Sequence, residues 1–163
     1  MSLRPNFLEA PMLTRRAALL LSLTALAACG TRPEPEVSHA ALHPGETPEL
    51  RALIRKWAAT YEIPESLLHR QIQRESGYNP AARNGSYYGL LQIMPQTART
   101  MGYLGAPEGL LDAETNLIYA GKYLRGAWLV SGGSQDRAVM WYAKGYYYEA
   151  KRMGLLEETG LRT

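Results

Sequence analysis

From Leu50 onward the apolar residues fall at Leu50, Leu53, Ile54, Trp57, Ala58 and Tyr61, the i, i+3, i+4, i+7, i+8, i+11 spacing of one helical face. Side chains of a strand alternate between faces, so this pattern commits the segment to an amphipathic helix beginning after Pro48. Pro64 suits the first position of a second helix, running to about Ser76 before Gly77 stops it. A short third helix follows Pro95. Asp112 makes an N-cap for a long fourth helix whose stripe of Leu117, Ala120, Gly121, Leu124 and Trp128 ends at Gly132-Gly133. The small residues Ala120 and Gly121 allow another backbone to come close. A fifth helix from about Ser134 to Ala143 and a sixth around Tyr148 to Met153 complete an all-α domain over residues 49–163. No alternating stretch is long enough for a strand, and no internal repeat is present.

The residues ahead of that domain have a different character. "MLTRRAALLLSLTALAACG" places Arg15 and Arg16 before an apolar run from Ala17 to Ala28 and small residues at its end, the layout of an export signal. The run is shorter than the about 20 apolar residues a transmembrane helix needs. Residues 1–28 are therefore assigned as a signal peptide, with Met12 an alternative start to Met1. "TRRAALL" also has a loose, two-residue likeness to a twin-arginine signal. From Gly30 to Pro48 there are four prolines (Pro33, Pro35, Pro44, Pro48), two glycines and no apolar periodicity. Residues 29–48 thus read as a Pro-rich tether that reaches at most about 60 Å when stretched.

A chain of 163 residues that is 46% hydrophobic can form one domain with a real core, and is too short for two ordinary ones. Its formal charge is +3, but Arg4, Arg15, Arg16 and Glu9 lie in residues 1–28, and residues 29–163 hold 15 basic and 14 acidic side chains, a balance of +1. No basic run or stripe is left to neutralise a phosphate backbone, so no nucleic-acid partner is expected.

One residue of the second helix is out of place. At about 100° per residue, Leu67, Leu68 and Ile72 share an arc from which His69, Arg70, Gln73 and Arg74 are excluded, yet Glu75 projects into it. A carboxyl there is desolvated, which raises its pKa toward the range of a general acid at neutral pH. The competing explanation is structural: Glu75 occupies the last turn, where a side chain can reach solvent.

The residues around Glu75 settle on a family. Glu75-Ser76, Asn79-Pro80, Tyr88-Gly89-Leu90-Leu91-Gln92-Ile93-Met94-Pro95 and Thr97-Ala98, then Asn116-Leu117 and Tyr123-Leu124, stand in an order that resembles the catalytic domain of the soluble-type lytic transglycosylases. The likeness runs from about Ile54 to Gly145. It implies a lysozyme-like fold, shared with goose-type lysozymes, and peptidoglycan as the partner. Departures are specific: Leu91 stands for the commoner methionine, Ala120 for a glycine, and the "AYNAG" motif is "WYAKG" from Trp141 to Gly145, so that its asparagine is Ala143 and its second alanine Lys144. The serine expected in the loop after the acid has no clear counterpart, Asn84 or Ser86 being nearest. Leu26-Ala27-Ala28-Cys29 likewise resembles the bacterial lipobox, implying a lipidated Cys29 that anchors a periplasmic protein, with Gly30 favouring the outer membrane.

By the resemblance, Glu75 is the catalytic residue and Ser76, Tyr88, Gln92, Met94 and Tyr142 form the substrate-binding set, with the Tyr142 hydroxyl reaching the catalytic carboxyl. Such enzymes cut the β-1,4 bond between N-acetylmuramic acid and N-acetylglucosamine without water, closing a 1,6-anhydro ring. A single carboxylate suits that route, whereas the usual glycosidase plan needs a second one about 5 to 9 Å away. Asp112 is better explained as a helix cap, Glu114 as a first-turn residue, and Glu149 lies past the matched region. Two other outcomes share the fold: a goose-lysozyme-like hydrolase, and a binding lipoprotein whose catalysis the change at Ala143 and Lys144 has weakened. The rings of "GYYYEAK", residues 145 to 151, suit either a place beside the glycan groove or core packing.

No cofactor is expected. His39 and His43 fall in the tether and His69 on the polar face of the second helix, so the histidines are not expected to converge. Cys29 is the single cysteine, which leaves no disulfide and no zinc ligand set. Protein partners have no signature here.

Overall fold

The computed structural model describes residues 41–162, so the export segment, Cys29 and the first part of the tether lie outside the described residues. Six α-helices are present among the described residues: α1 (Pro48–Thr60), α2 (Glu65–Glu75), α3 (Pro95–Thr100), α4 (Ala113–Val130), α5 (Gln135–Lys144) and α6 (Tyr147–Met153). A single 3₁₀ turn, Pro107–Leu111, leads into α4. The helix ends reflect local chemistry. Thr47 accepts the Leu50 N–H at 3.2 Å, Asp112 accepts the Thr115 N–H at 2.8 Å, and Gly154 stops α6 in the left-handed region at φ +73°. Pro64 differs from expectation: its extended ψ of 130° makes it the N-cap of α2 rather than its first helical residue.

The centre of the fold is α4, which contacts α1, α3, α5, α6 and the 3₁₀ turn. Leu117, Ala120, Leu124 and Ala127 on it are fully buried. The small residues admit tyrosine rings rather than another backbone. A Cβ at Gly121 would stand 2.9 Å from the Tyr61 ring, and one at Gly126 would overlap the Tyr146 hydroxyl. Both rings then find polar partners on α4, since Tyr61 donates to the Ile118 carbonyl at 2.5 Å and Tyr146 to the Tyr123 carbonyl at 2.9 Å.

Two features depart from an all-helical, tethered plan. Arg83–Asn84 and Tyr87–Tyr88 form a minimal antiparallel hairpin, β1 and β2, with Arg83 opposite Tyr88 and Asn84 opposite Tyr87. Gly85 supplies φ +58° in its two-residue loop. Two-residue strands carry no alternation to read. In addition, residues 43–47, assigned to the tether by composition, pack on the domain. Glu46 is buried against Arg51, the His43 ring stacks on Tyr78 at 5.3 Å, and a Cβ at Gly45 would meet the Gly77 carbonyl at 2.7 Å. No helix among the described residues is long and apolar enough to cross a membrane.

Candidate active site

The buried face of α2 is made by Leu67, Leu68, Gln71 and Ile72. Glu75 closes the helix because the next residues turn away, Gly77 and Tyr78 both at positive φ (58° and 67°). The side chain of Glu75 is 23% exposed, with Oε1 3.7 Å from the Arg74 guanidinium Nε. The same oxygen accepts a hydrogen bond from Gln71 Nε2 at 2.9 Å, one turn back. Burial raises the Glu75 pKa above the usual carboxylate range, and the Arg74 charge opposes that rise without cancelling it.

Facing Glu75 is the turn from Tyr88 to Met94, and Asn116 builds it. Fully buried on α4, Asn116 accepts the Leu91 N–H at 2.9 Å and donates to the Tyr88 and Leu110 carbonyls, each at 2.8 Å. Gly89, at φ +75°, leaves room for that amide, because a Cβ there would overlap Asn116 Nδ2. Gln92 takes the unusual φ of +47° for a residue with a side chain. Its Nε2 donates to the Gly89 carbonyl at 2.9 Å and the Ala82 carbonyl at 3.1 Å, so the strain is held in place by hydrogen bonds. Leu90 and Leu91 fill the core beneath, and Met94 is left 37% exposed at the groove edge.

The third wall is the end of α5. Tyr142, Ala143, Lys144 and Gly145 line the groove with Arg74, Glu75, Asn84, Tyr87, Gln92, Ile93, Met94, Thr97 and Tyr123, around a volume of about 560 Å³. That is the size range of small-ligand sites. The Tyr142 hydroxyl does not hydrogen-bond to Glu75 as the family likeness implied; it donates to the Leu91 carbonyl at 2.8 Å, tying α5 to the turn. Burial raises its pKa well above the ordinary tyrosine value, and the nearby Glu75 charge adds to the rise. Tyr142 stays a neutral phenol.

Four of the six predicted site residues therefore meet in one groove: Glu75, Gln92, Met94 and Tyr142. Two do not line it. Ser76 caps α2 and directs its hydroxyl to the Ile72 carbonyl at 3.4 Å. Tyr88 is buried and its hydroxyl accepts from Arg83 at 2.7 Å. Of the two candidates for the loop serine, Asn84 lines the groove and Ser86 does not. Arg74, Tyr87, Thr97, Tyr123 and Lys144 were missed as wall residues. Gln71 was missed too, although the arc that singled out Glu75 also contains it. In the "GYYYEAK" segment Tyr146 is core, whereas Tyr147 and Tyr148 are 47% and 83% exposed and lie outside the lining set.

Among the described residues Glu75 is the one carboxyl in the groove wall. Asp112 is engaged as the α4 cap, Glu114 pairs with Lys56 at 2.6 Å, and Glu149 pairs with Arg152 at 2.6 Å. The expectation that the histidines stay apart is corrected. The His43 and His69 rings meet at a tilt of 45° with centroids 4.9 Å apart, and their nitrogens and a Glu46 oxygen lie within 4.8 Å of one another. The cause is the packing of residues 43–47 on α2. Both Glu46 oxygens are already held by the Arg51 guanidinium, so the carboxylate's charge is neutralised within the protein. This cluster shares no residue with the groove.

The chain matches no solved structure. Its residues 52–154 match the family model described as the Transglycosylase SLT domain, a span holding every groove residue named above. With the helical fold built around Glu75 and the Tyr88 to Met94 turn, the chain belongs to the Transglycosylase SLT domain family, within the lysozyme-like superfamily.

Proposed function

We propose that this protein is a peptidoglycan lytic transglycosylase that cleaves the β-1,4 bond between N-acetylmuramic acid and N-acetylglucosamine and leaves 1,6-anhydromuramoyl ends. Family membership carries a lytic transglycosylase role on peptidoglycan; the particular bond and products are the inference. One observation supports it above the others: a groove of about 560 Å³ holds, among the described residues, one carboxyl, the half-buried Glu75.

In this mechanism protonated Glu75 gives its proton to the glycosidic oxygen as the C1–O bond breaks. The C6 hydroxyl of the muramoyl residue then bonds to C1, and its proton returns to Glu75. Acid and base are the same group, no water is consumed, and no second carboxylate is required. The ordinary hydrolytic routes use a second carboxylate, either as base toward water or as nucleophile. The binding-only alternative draws on Ala143 and Lys144, which line the groove where the family motif has asparagine and alanine. We further place the protein in the periplasm, held to the outer membrane through lipidated Cys29; mass spectrometry of the mature N-terminus tests this, and an unmodified Cys29 would overturn it.

The deciding experiment is digestion of purified peptidoglycan sacculi, with Glu75→Gln as control and mass spectrometry of the soluble muropeptides. Products ending in 1,6-anhydro-N-acetylmuramic acid that vanish with the variant are expected. The loss should be at least about 100-fold, the usual range for removing a general acid–base group. Reducing ends bearing added water identify a hydrolase instead, and binding without release identifies a glycan-binding protein.

A further inference from the structure

Gln71 is completely buried on α2, yet its carbonyl Oε1 has no hydrogen-bond partner. Its other amide atom, Nε2, donates to Glu75 Oε1 at 2.9 Å. A buried orphan oxygen costs stability, and methionine or leucine would fill the same space without that cost. The position is explained by what an amide can do and an apolar side chain cannot, which is to offer either a donor or an acceptor to the neighbouring carboxyl.

We propose that Gln71 is the positioning residue for the Glu75 carboxyl, donating through Nε2 while Glu75 is a carboxylate and, after its amide turns over, accepting the acid's O–H through Oε1. In each orientation one amide atom engages Glu75 and the other is left alone. The amide therefore engages both protonation states, the carboxylate more strongly because a bond to a charged acceptor is the stronger one, and the carboxyl keeps one geometry through both halves of an acid-then-base cycle. Other charged or titratable groups do not substitute for it. Arg74 on α2 stays 3.7 Å from Glu75, Tyr142 on α5 is committed to the Leu91 carbonyl, and Tyr123 on α4 and Lys144 at the end of α5 line the groove without a hydrogen bond to Glu75 among the described residues. The facing turn contributes Gln92, whose Nε2 is held by backbone carbonyls.

The consequence for turnover rests on the transglycosylase mechanism, but the geometry can be tested without turnover. In the full chain, NMR titration should show the Gln71 side-chain amide following the same inflection as the Glu75 side-chain carboxyl carbon, and that inflection should vanish from Gln71 in Glu75→Gln. Gln71→Met removes a donor to the charged form, so the Glu75 inflection should move up by about one pH unit. Its thermal midpoint should hold or rise, while kcat on sacculi falls about 10- to 100-fold with KM within about twofold. Gln71→Glu keeps the shape and places two carboxyls around one proton, so its titration should split into two coupled steps. The proposal is overturned if Gln71→Met leaves kcat and the Glu75 inflection in place. It is equally overturned if Gln71→Met does not fold and Gln71→Glu shows the wild-type inflection. A wild-type protein that releases no anhydro-muropeptides defeats the proposed function and leaves the titration to decide the role of Gln71.

Discussion

Glu75 and Gln71 stand one turn apart on the packed side of α2. They were unequally legible in the sequence. A carboxyl in an apolar arc is conspicuous because its desolvation is costly, whereas a glutamine there passes as the edge of a stripe. The partner of Tyr142 was illegible for another reason: the acceptor is the backbone carbonyl of Leu91, brought near by a turn 51 residues away in sequence. The raised Glu75 pKa also makes a stability prediction. A carboxyl whose folded pKa exceeds its unfolded one binds more protons in the folded state, so stability falls as pH rises between the two values. The burden is absent below the ordinary carboxylate value of 4.5 and complete above the raised one. Glu75→Gln removes it. Urea unfolding of the variant and the wild type should therefore diverge in the variant's favour as pH rises above the ordinary carboxylate value of 4.5, and a gap that does not change with pH would show that the carboxyl is not desolvated in the folded protein.

The longer helices were readable because each carries an apolar stripe and a stop or cap of its own, and α3 was placed by Pro95 at its start. The hairpin and the 3₁₀ turn were not, since elements of two and five residues carry too little periodicity. Their placement depends on Asn116, which looked in the sequence like the opening of a helix and proves to be the junction of three elements. It binds the Tyr88 and Leu91 backbone of the turn and the Leu110 carbonyl of the 3₁₀ segment from the first turns of α4. Asn116→Ala deprives the Leu91 N–H and the Leu110 carbonyl of the partner they have here, while the Tyr88 carbonyl keeps only its bond from the Ile93 N–H. At about 1 to 3 kcal/mol for each such group, partly relieved by relaxation, the loss should be on the order of 3 kcal/mol. The thermal midpoint should fall by on the order of 10 °C. Because Gln92 and Met94 ride on the same turn, kcat should drop even at a temperature where the variant is fully folded. An unchanged kcat under those conditions would mean that the turn keeps its shape without Asn116.

Outside residues 1–28 the charge is nearly balanced, so composition gave no sign of a nucleic-acid partner and was silent about local fields. The groove is different. Arg74 and Lys144 line it, and Glu75, whose pKa is raised, is its one carboxyl among the described residues. With Glu75 in its acid form the wall carries two cations and no opposing charge, and no ion pair engages Lys144 among the described residues. Peptidoglycan is itself anionic, through the carboxylates of its peptide stems or of bared lactyl groups, and Lys144, where the motif has alanine, puts a cation in the groove wall that can attract it. Ala143 beside it offers none of the hydrogen bonds an asparagine can make, whereas a charge at Lys144 attracts an anion without a fixed geometry. Lys144→Glu should then raise KM on sacculi about 3- to 10-fold at low salt while leaving kcat within about twofold, since the charge steers and holds substrate rather than moving protons. The gap should narrow as ionic strength rises from about 20 to 200 mM, because the Debye length shrinks below the reach of an exposed side chain. A KM penalty that ignores salt would instead place Lys144 in a short-range contact with the glycan, and no penalty at all would return the burden of substrate binding to Gln92, Met94 and Tyr142.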